Sequence, residues 1–216
     1  MNKHALVIGG TGATGKEIVN LLIKNSNFSK ITLFVRKEIQ INNSKINIQL
    51  IDFDNLIKYK SLIFGDILYS CLGTTRAEAG SKRKQYIVDY TYQYEFAKIA
   101  ATNGVKNYSL ISSIGANENS FFFYPGIKGL LEEKVKNLNF QKIQIYQPPS
   151  LIRQPELARK VERRTIKFLN FLNKFGLLKS LKPIHVKYLA QIIVKNSFKD
   201  KDTRLQIFTS KELVNF

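Results

Sequence analysis

Tyr124 and Lys128 stand four residues apart, close enough on one helix face for their side chains to interact. A phenol with an ordinary pKa of about 10 exchanges its proton poorly at neutral pH. A neighbouring ammonium stabilises the phenolate and moves the group toward the working range of a general acid or base. Pro125 suits only the first turn of a helix, so Tyr124 should mark the start of the helical pattern read over residues 126–138. Twelve residues before Tyr124, Ser112 and Ser113 close an apolar run and offer a hydroxyl that could hold a substrate oxygen. Consecutive strand residues point to opposite faces, so one of the two should serve, and the distance to Tyr124 favours Ser112. The same spacing also fits an amphipathic helix with an interfacial tyrosine and a solvated lysine.

The first fifteen residues supply a context for this pair. An apolar run ends at Ile8, and Gly9, Gly12 and Gly15 follow at a spacing of three before the helical pattern of Glu17 to Leu22. Strand, glycine turn and helix together are the fingerprint of dinucleotide binding. Gly9 would make the tight turn, Gly12 would admit a pyrophosphate to the backbone, and Gly15 would let the helix pack closely. Thr11, Ala13 and Thr14 lie in the same loop and first turn, where unpaired N–H groups and the positive end of the helix dipole face an anion. A cationic nicotinamide would further favour a tyrosinate at Tyr124, and Lys128 could also hydrogen-bond the nicotinamide ribose.

Other candidate contacts fall where predicted strands end. Arg36 and Lys37 follow the second, 21 and 22 residues after Gly15. An acidic residue there holds a ribose 2′-hydroxyl, whereas arginine accommodates a 2′-phosphate, so NADP(H) is preferred and NAD(H) remains open. At the end of the third strand, Asp52 and Phe53 are placed to meet the adenine, although Asp52 could equally cap the following helix. The fourth runs into Cys71, Leu72, Gly73 and Thr74, whose backbone and hydroxyl groups suit the cofactor ribose and phosphates. Cys71 itself reads as a small core residue, with no histidine nearby in sequence to activate it.

These positions require an alternating scaffold. Residues 4–9, 31–35, 46–52, 66–71, 107–112 and 143–147 read as strands, with helical patterns at 14–25, 55–63, about 83–103 and 126–138. Alternation of this kind implies an α/β fold with a Rossmann-type, doubly wound parallel sheet, whose ligands sit at the carboxyl ends of the strands. A single domain over 1–216 is expected, with a nucleotide-binding core at 1–149 and a small C-terminal helical lid over 150–216. That lid would hold a basic amphipathic helix at 157–178, another helix at 184–197 and a last strand near 204–208.

The 216 residues carry a net charge of +18, but the basic residues are scattered, and neither a zinc-ligand array nor an arginine-rich arm accompanies them. No specific nucleic-acid partner is expected. His4 and His185 form no constellation with cysteine or carboxylates, so no metal site is assigned. One cysteine and the lack of a signal-peptide or membrane-spanning pattern point to a cytoplasmic protein. The basic helix at 157–178 suits weak contact with an anionic membrane, and a monomer or homodimer is expected.

Taken together, the glycine spacing, Ser112-Ser113 and Tyr124-x-x-x-Lys128 resemble the short-chain dehydrogenase/reductase superfamily in its atypical extended branch. Two longer stretches, CLGTTRAEAGSKRKQYIVDYTYQYEFAKIA and NYSLISSIGANENSFFFYPGIKG, are similar to the Tat-interacting oxidoreductase-like proteins, small NADPH-binding members of that branch. The resemblance implies a Rossmann fold, NADP(H) held through Arg36, and Tyr124 exchanging a proton beside Lys128. Cys71-Leu72-Gly73 replaces the Asn-Asn-Ala-Gly turn of the common reductases, and Gln147 stands where relatives often carry arginine. The expected activity is hydride transfer between NADPH and a small carbonyl or alcohol substrate, largely apolar or amphipathic in view of Phe121-Phe122-Phe123. The alternative is a regulatory protein that senses NADPH with little turnover.

Overall fold

A computed structural model describes residues 2–157, 181–199 and 203–216. Seven parallel strands form the main sheet: β1 (Lys3–Ile8), β2 (Phe28–Val35), β3 (Ile46–Leu50), β4 (Ile67–Ser70), β5 (Asn107–Ile111), β6 (Lys142–Tyr146) and, after a two-stranded side sheet, β9 (Leu205–Phe208). Their spatial order is β3-β2-β1-β4-β5-β6-β9. The chain leaves β1 in one direction through β2 and β3, then returns to build outward from β4. A crevice therefore opens at the carboxyl ends of β1 and β4, the usual ligand position in such a sheet.

Both faces of the sheet are apolar because both are covered. Within β1, Leu6 and Ile8 join a core with Phe34, Phe96 and Leu131, while Ala5 and Val7 join another with Ile18, Leu22 and Leu189. The side-chain period of two thus sends alternate residues of one strand into two cores. One face is covered by α4 (Tyr92–Thr102) and α5 (Phe123–Lys136), the other by α1 (Ala13–Lys24) and α6 (Val186–Asn196). The short helices α2 (Arg76–Ala79) and α3 (Lys82–Tyr86) follow β4, and α7 (Ser210–Val214) ends the fold.

Three local expectations are revised. The helix expected over 83–103 is interrupted by a π turn at Ile87–Thr91, between α3 and α4. The segment expected as a helix at 55–63 is a 3-10 stretch, Phe53–Leu62, with Asn55 outside helical geometry. Helix α5 begins at Phe123, one residue ahead of Tyr124, and Pro125 occupies its first turn as the ring requires.

The tail differs more. Of the segment 150–216, expected as a helical lid, the described part packs against the sheet and adds one strand to it. β7 (Leu151–Ile152) pairs with β8 (Ile184–His185), α6 packs on α1, and β9 extends the main sheet beside β6. The buried Tyr69 hydroxyl hydrogen-bonds Ser197 at 2.8 Å, tying the segment after α6 to the sheet. A stretch with too few apolar residues for its own core has completed the second face of an existing one. The basic helix expected at 157–178 lies outside the described residues, except for Leu157 at the end of the 3-10 turn Pro155–Leu157.

Leu189 is fully buried between α6 and the sheet. Leu189→Ala should therefore lower unfolding stability by about 2–5 kcal/mol in denaturant melts. A detachable lid would show almost no loss.

Candidate active site

The glycine loop is built by backbone contacts that exclude side chains. Gly9 has φ of +76°, and a Cβ there would lie 2.5 Å from the Cys71 carbonyl carbon, so the loop abuts the end of β4 directly. A Cβ on Gly15 would strike the Gly9 carbonyl oxygen and sit 2.9 Å from its carbon. The Gly12 N–H closes the turn onto the Gly9 carbonyl at 3.0 Å. Gly12 then caps α1 with no side-chain hydrogen bond, leaving the helix N-terminus to a ligand.

A cavity of about 620 Å³ lies over this loop, with Gly9, Thr11 and Gly12 on one side and Cys71 to Thr74 on the other. Arg36 lines its far end together with Asp54, Lys84 and Tyr92. Tyr92 donates to Asp54 at 2.7 Å, and burial, with help from that carboxylate, pushes the phenol up to about 12. The size and lining fit a dinucleotide: a helix N-terminus without a side-chain cap for the pyrophosphate and Arg36 for charge at the adenosine end.

Lys37, Asp52 and Phe53 are among the expected contacts that do not line this cavity. Lys37 is exposed beyond β2. Asp52 is occupied as the cap of the 3-10 segment, accepting from the Asp54 backbone at 2.9 Å and the Asn55 amide at 2.5 Å. Its carboxyl is held below the usual range by those two donors, Asn55 foremost. Phe53 is buried against Tyr92 and Phe96. Asp54, two residues further on, lines the cavity instead.

A smaller cavity of about 90 Å³ joins the two halves of the prediction. Gly12, Ala13 and Thr14 line it from the loop side, and Ser112, Tyr124 and Lys128 from the other, with Cys71 to Thr74 between them. Tyr124 stands partly exposed at the boundary with a third cavity of about 650 Å³, which Ser113 also lines. The glycine loop and the Tyr-Lys pair thus share one crevice.

Lys128 is only 1% exposed, which excludes the solvated-lysine reading of the motif. Its Nζ donates to the Ile111 carbonyl at 3.1 Å at the end of β5. Burial lowers its pKa, while the carboxylates of Asp89 and Glu132, and then Cys71, act in the opposite direction. Burial also pushes the Cys71 thiol up to about 12 against the pull of Lys128, consistent with a structural rather than nucleophilic cysteine.

The two serines are not equivalent. The Ser112 hydroxyl donates to Glu132, whose carboxylate also accepts from the Gln147 amide at 2.9 Å and 3.2 Å. The Ser113 Oγ is buried with no hydrogen-bond partner among the described residues. Ser112, which the distance to Tyr124 favours, lines both the smaller cavity and the third, and Ser113 lines the third alone.

Sequence reasoning missed Asp89 and Glu132. Glu132 was legible, since Tyr124, Lys128 and Glu132 recur every fourth residue along one helix face. Asp89 was not. It lies inside the π turn, fully buried, with the Thr74 N–H donating to both its oxygens at 3.4 Å. A helical period carried through residue 89 misassigns its direction.

The sequence profile of the family described as NAD(P)H-binding matches residues 9–141, well over half of the chain. Protein HTATIP2 of Rattus norvegicus is 33% identical over 79% of this chain and 72% of its own length. The chain belongs to the NAD(P)H-binding, atypical short-chain dehydrogenase/reductase family. Protein FMP52-1, mitochondrial, of Scheffersomyces stipitis is 31% identical over 97% of this chain and 96% of its own. Among solved structures, a short chain dehydrogenase family protein from Francisella tularensis subsp. tularensis SCHU S4 superposes with a TM-score of 0.67 at 17% identity, covering 98% of this chain and 99% of the other. A UDP-N-acetylglucosamine 4-epimerase from Methanobrevibacter ruminantium M1 gives 0.69 at 14% identity, over 96% and 76% respectively. At these identities the structural matches establish the Rossmann-like fold.

Two substitutions test this geometry. Gly15→Ala should abolish NADPH binding in a calorimetric titration, because the added methyl drives α1 away from the loop. Glu132→Ala leaves the Ser112 hydroxyl and the Gln147 amide without their acceptor. It should lower stability by about 1–3 kcal/mol in denaturant melts, whereas Glu132→Gln, which keeps an acceptor oxygen, should lose less.

Proposed function

We propose that the protein is an NADPH-dependent oxidoreductase that reduces a carbonyl compound, or oxidises the corresponding alcohol. The observation that carries this reading is the shared crevice, in which the glycine loop and Tyr124, Lys128 and Ser113 line connected cavities. Gly9, Thr11 and Gly12, with Arg36, would hold NADPH, which would supply a hydride for the carbonyl carbon. Tyr124 donates its phenolic proton to the carbonyl oxygen as negative charge develops there. Ser113 holds that oxygen through its otherwise unpartnered hydroxyl, and Ser112 anchors the end of β5 to α5 through Glu132. Lys128, charged and buried beneath the site, stabilises the tyrosinate until it regains a proton.

Preference for the phosphorylated cofactor rests on Arg36 in the cavity wall, with Lys84 as a second cation in the same lining. Glu78 and Asp54 lie there too; Glu78 is used in the capping box of α2, and Asp54 accepts from Tyr92.

Tyr124→Phe should reduce turnover by about 10²–10⁴-fold while leaving the NADPH dissociation constant within a few-fold in fluorescence titration. Retained turnover would refute the assigned proton donor. Ser113→Ala should lower kcat/KM more than Ser112→Ala when both are measured on one substrate. Arg36→Glu should reverse a thermal-shift preference for NADPH over NADH, and a wild-type protein stabilised more by NADH would overturn the role of Arg36. Tight NADPH binding with no turnover on a broad carbonyl panel would favour a sensor over an enzyme.

A further inference from the structure

We infer that the substrate is an amphipathic carbonyl compound carrying an anionic group, a carboxylate or phosphate, away from the reacting carbon. The inference rests on the oxidoreductase reading for the position of the carbonyl, but its own ground is the cleft of about 650 Å³ beyond Tyr124. That volume suits a small organic ligand.

Its walls combine two kinds of surface. Ile114, Phe123, Pro148, Pro149 and Leu151 form apolar walls. Arg76 and Lys82 line it from the segment after β4, and Arg153 from the segment after β7. The Lys82 ammonium lies 5.5 Å from the Phe123 ring centroid, so a cation rests against the apolar wall itself.

Among the described residues no carboxylate lines this cleft, and the reason lies in what the nearby acids do. Glu78 turns back to cap α2, accepting from the Thr75 backbone at 3.2 Å. Asp89 is buried beneath Thr74, and Glu132 holds Ser112 and Gln147. Glu156 pairs with Lys16 at 3.2 Å. The contrast is internal to the molecule. The cofactor cavity includes Asp54 and Glu78, and an apolar groove beside α4 includes Asp54 and Glu95. General basicity therefore does not account for a cleft whose charged lining, among the described residues, is cationic. Within it, the buried Ser113 Oγ and Tyr124 mark the end that receives the carbonyl oxygen, and the cations mark where a negative charge is stabilised. Partial exclusion of water by the apolar walls strengthens that attraction.

The test compares ω-oxodecanoate, its methyl ester and ω-oxodecyl phosphate as substrates of the full chain with NADPH. They share one aldehyde and differ in the remote group. The acid or the phosphate should exceed the ester in kcat/KM by about ten-fold, the gain expected of two partly exposed ion pairs. The better of the two identifies the anion. The ratio should fall toward one in Arg76→Gln/Lys82→Gln, but not in Lys134→Gln, which removes charge from the exposed face of α5. An ester reduced as well as both anions would overturn the inference and leave the oxidoreductase reading intact. If none of the aldehydes is consumed, that reading loses its support, and calorimetry on the NADPH-loaded protein decides the anion site separately. Decanoate binding about ten-fold more tightly than decanamide would sustain it; equal binding would overturn it.

Discussion

Backbone meeting backbone, with no room for a side chain, is the constraint on which this molecule depends. Gly9 rests on the carbonyl group of Cys71, and Gly15 rests on Gly9, so β1, α1 and the end of β4 converge within one van der Waals layer. The same convergence leaves the N-terminus of α1 without a side-chain cap and places the Cys71 to Thr74 turn across the cavity from it. Packing and ligand binding are therefore one arrangement here. The positive φ at Gly9 and the contact at Gly15 are required before any cofactor contact can form.

Beneath the reacting end lies a group of buried charges. Lys128 is enclosed with Asp89 on one side and Glu132 on the other, and each carboxylate is itself hydrogen-bonded, Asp89 by the Thr74 backbone and Glu132 by Ser112 and Gln147. An isolated ammonium at that depth would tend to lose its proton. The carboxylates of Asp89 and Glu132 oppose that loss. The π turn holds the buried Asp89, and one turn later Gln93 is buried against Ser70 of β4. Gln147 contributes an amide to Glu132.

The crevice is electrostatically divided. The cavity over the glycine loop is lined by Arg36 and Lys84 together with the acidic residues Asp54 and Glu78. Beyond Tyr124, the charged lining among the described residues is cationic, set in apolar walls. The carboxylates nearest to that cleft are drawn into caps, an ion pair or the buried group, so local hydrogen bonding sets the character of a cavity those residues do not enter.

The alternation of strands and helices, the glycine loop, and the pairing of Tyr124 with Lys128 were legible because each depends on local periodicity or on the steric demands of a turn. The seven-stranded parallel sheet follows from the first, and the position of its crevice from the order in which the strands are used. Other features depend on which surfaces meet. The tail packs on the sheet because Leu189, Ile193 and Leu213 join the second core, a fact no local pattern encodes. Asp54 lines the cavity, whereas the Asp52 carboxylate is used as a cap. Asp89 was hidden by a π turn that shifts helical phase, and the division of labour between Ser112 and Ser113 was decided by Glu132 on a neighbouring helix. By itself, the sequence determined the chemical groups, the scaffold that carries them and the kind of ligand they suit. Only tertiary structure decided what each of two adjacent hydroxyls is bonded to, because those partners come from elements far apart in the chain.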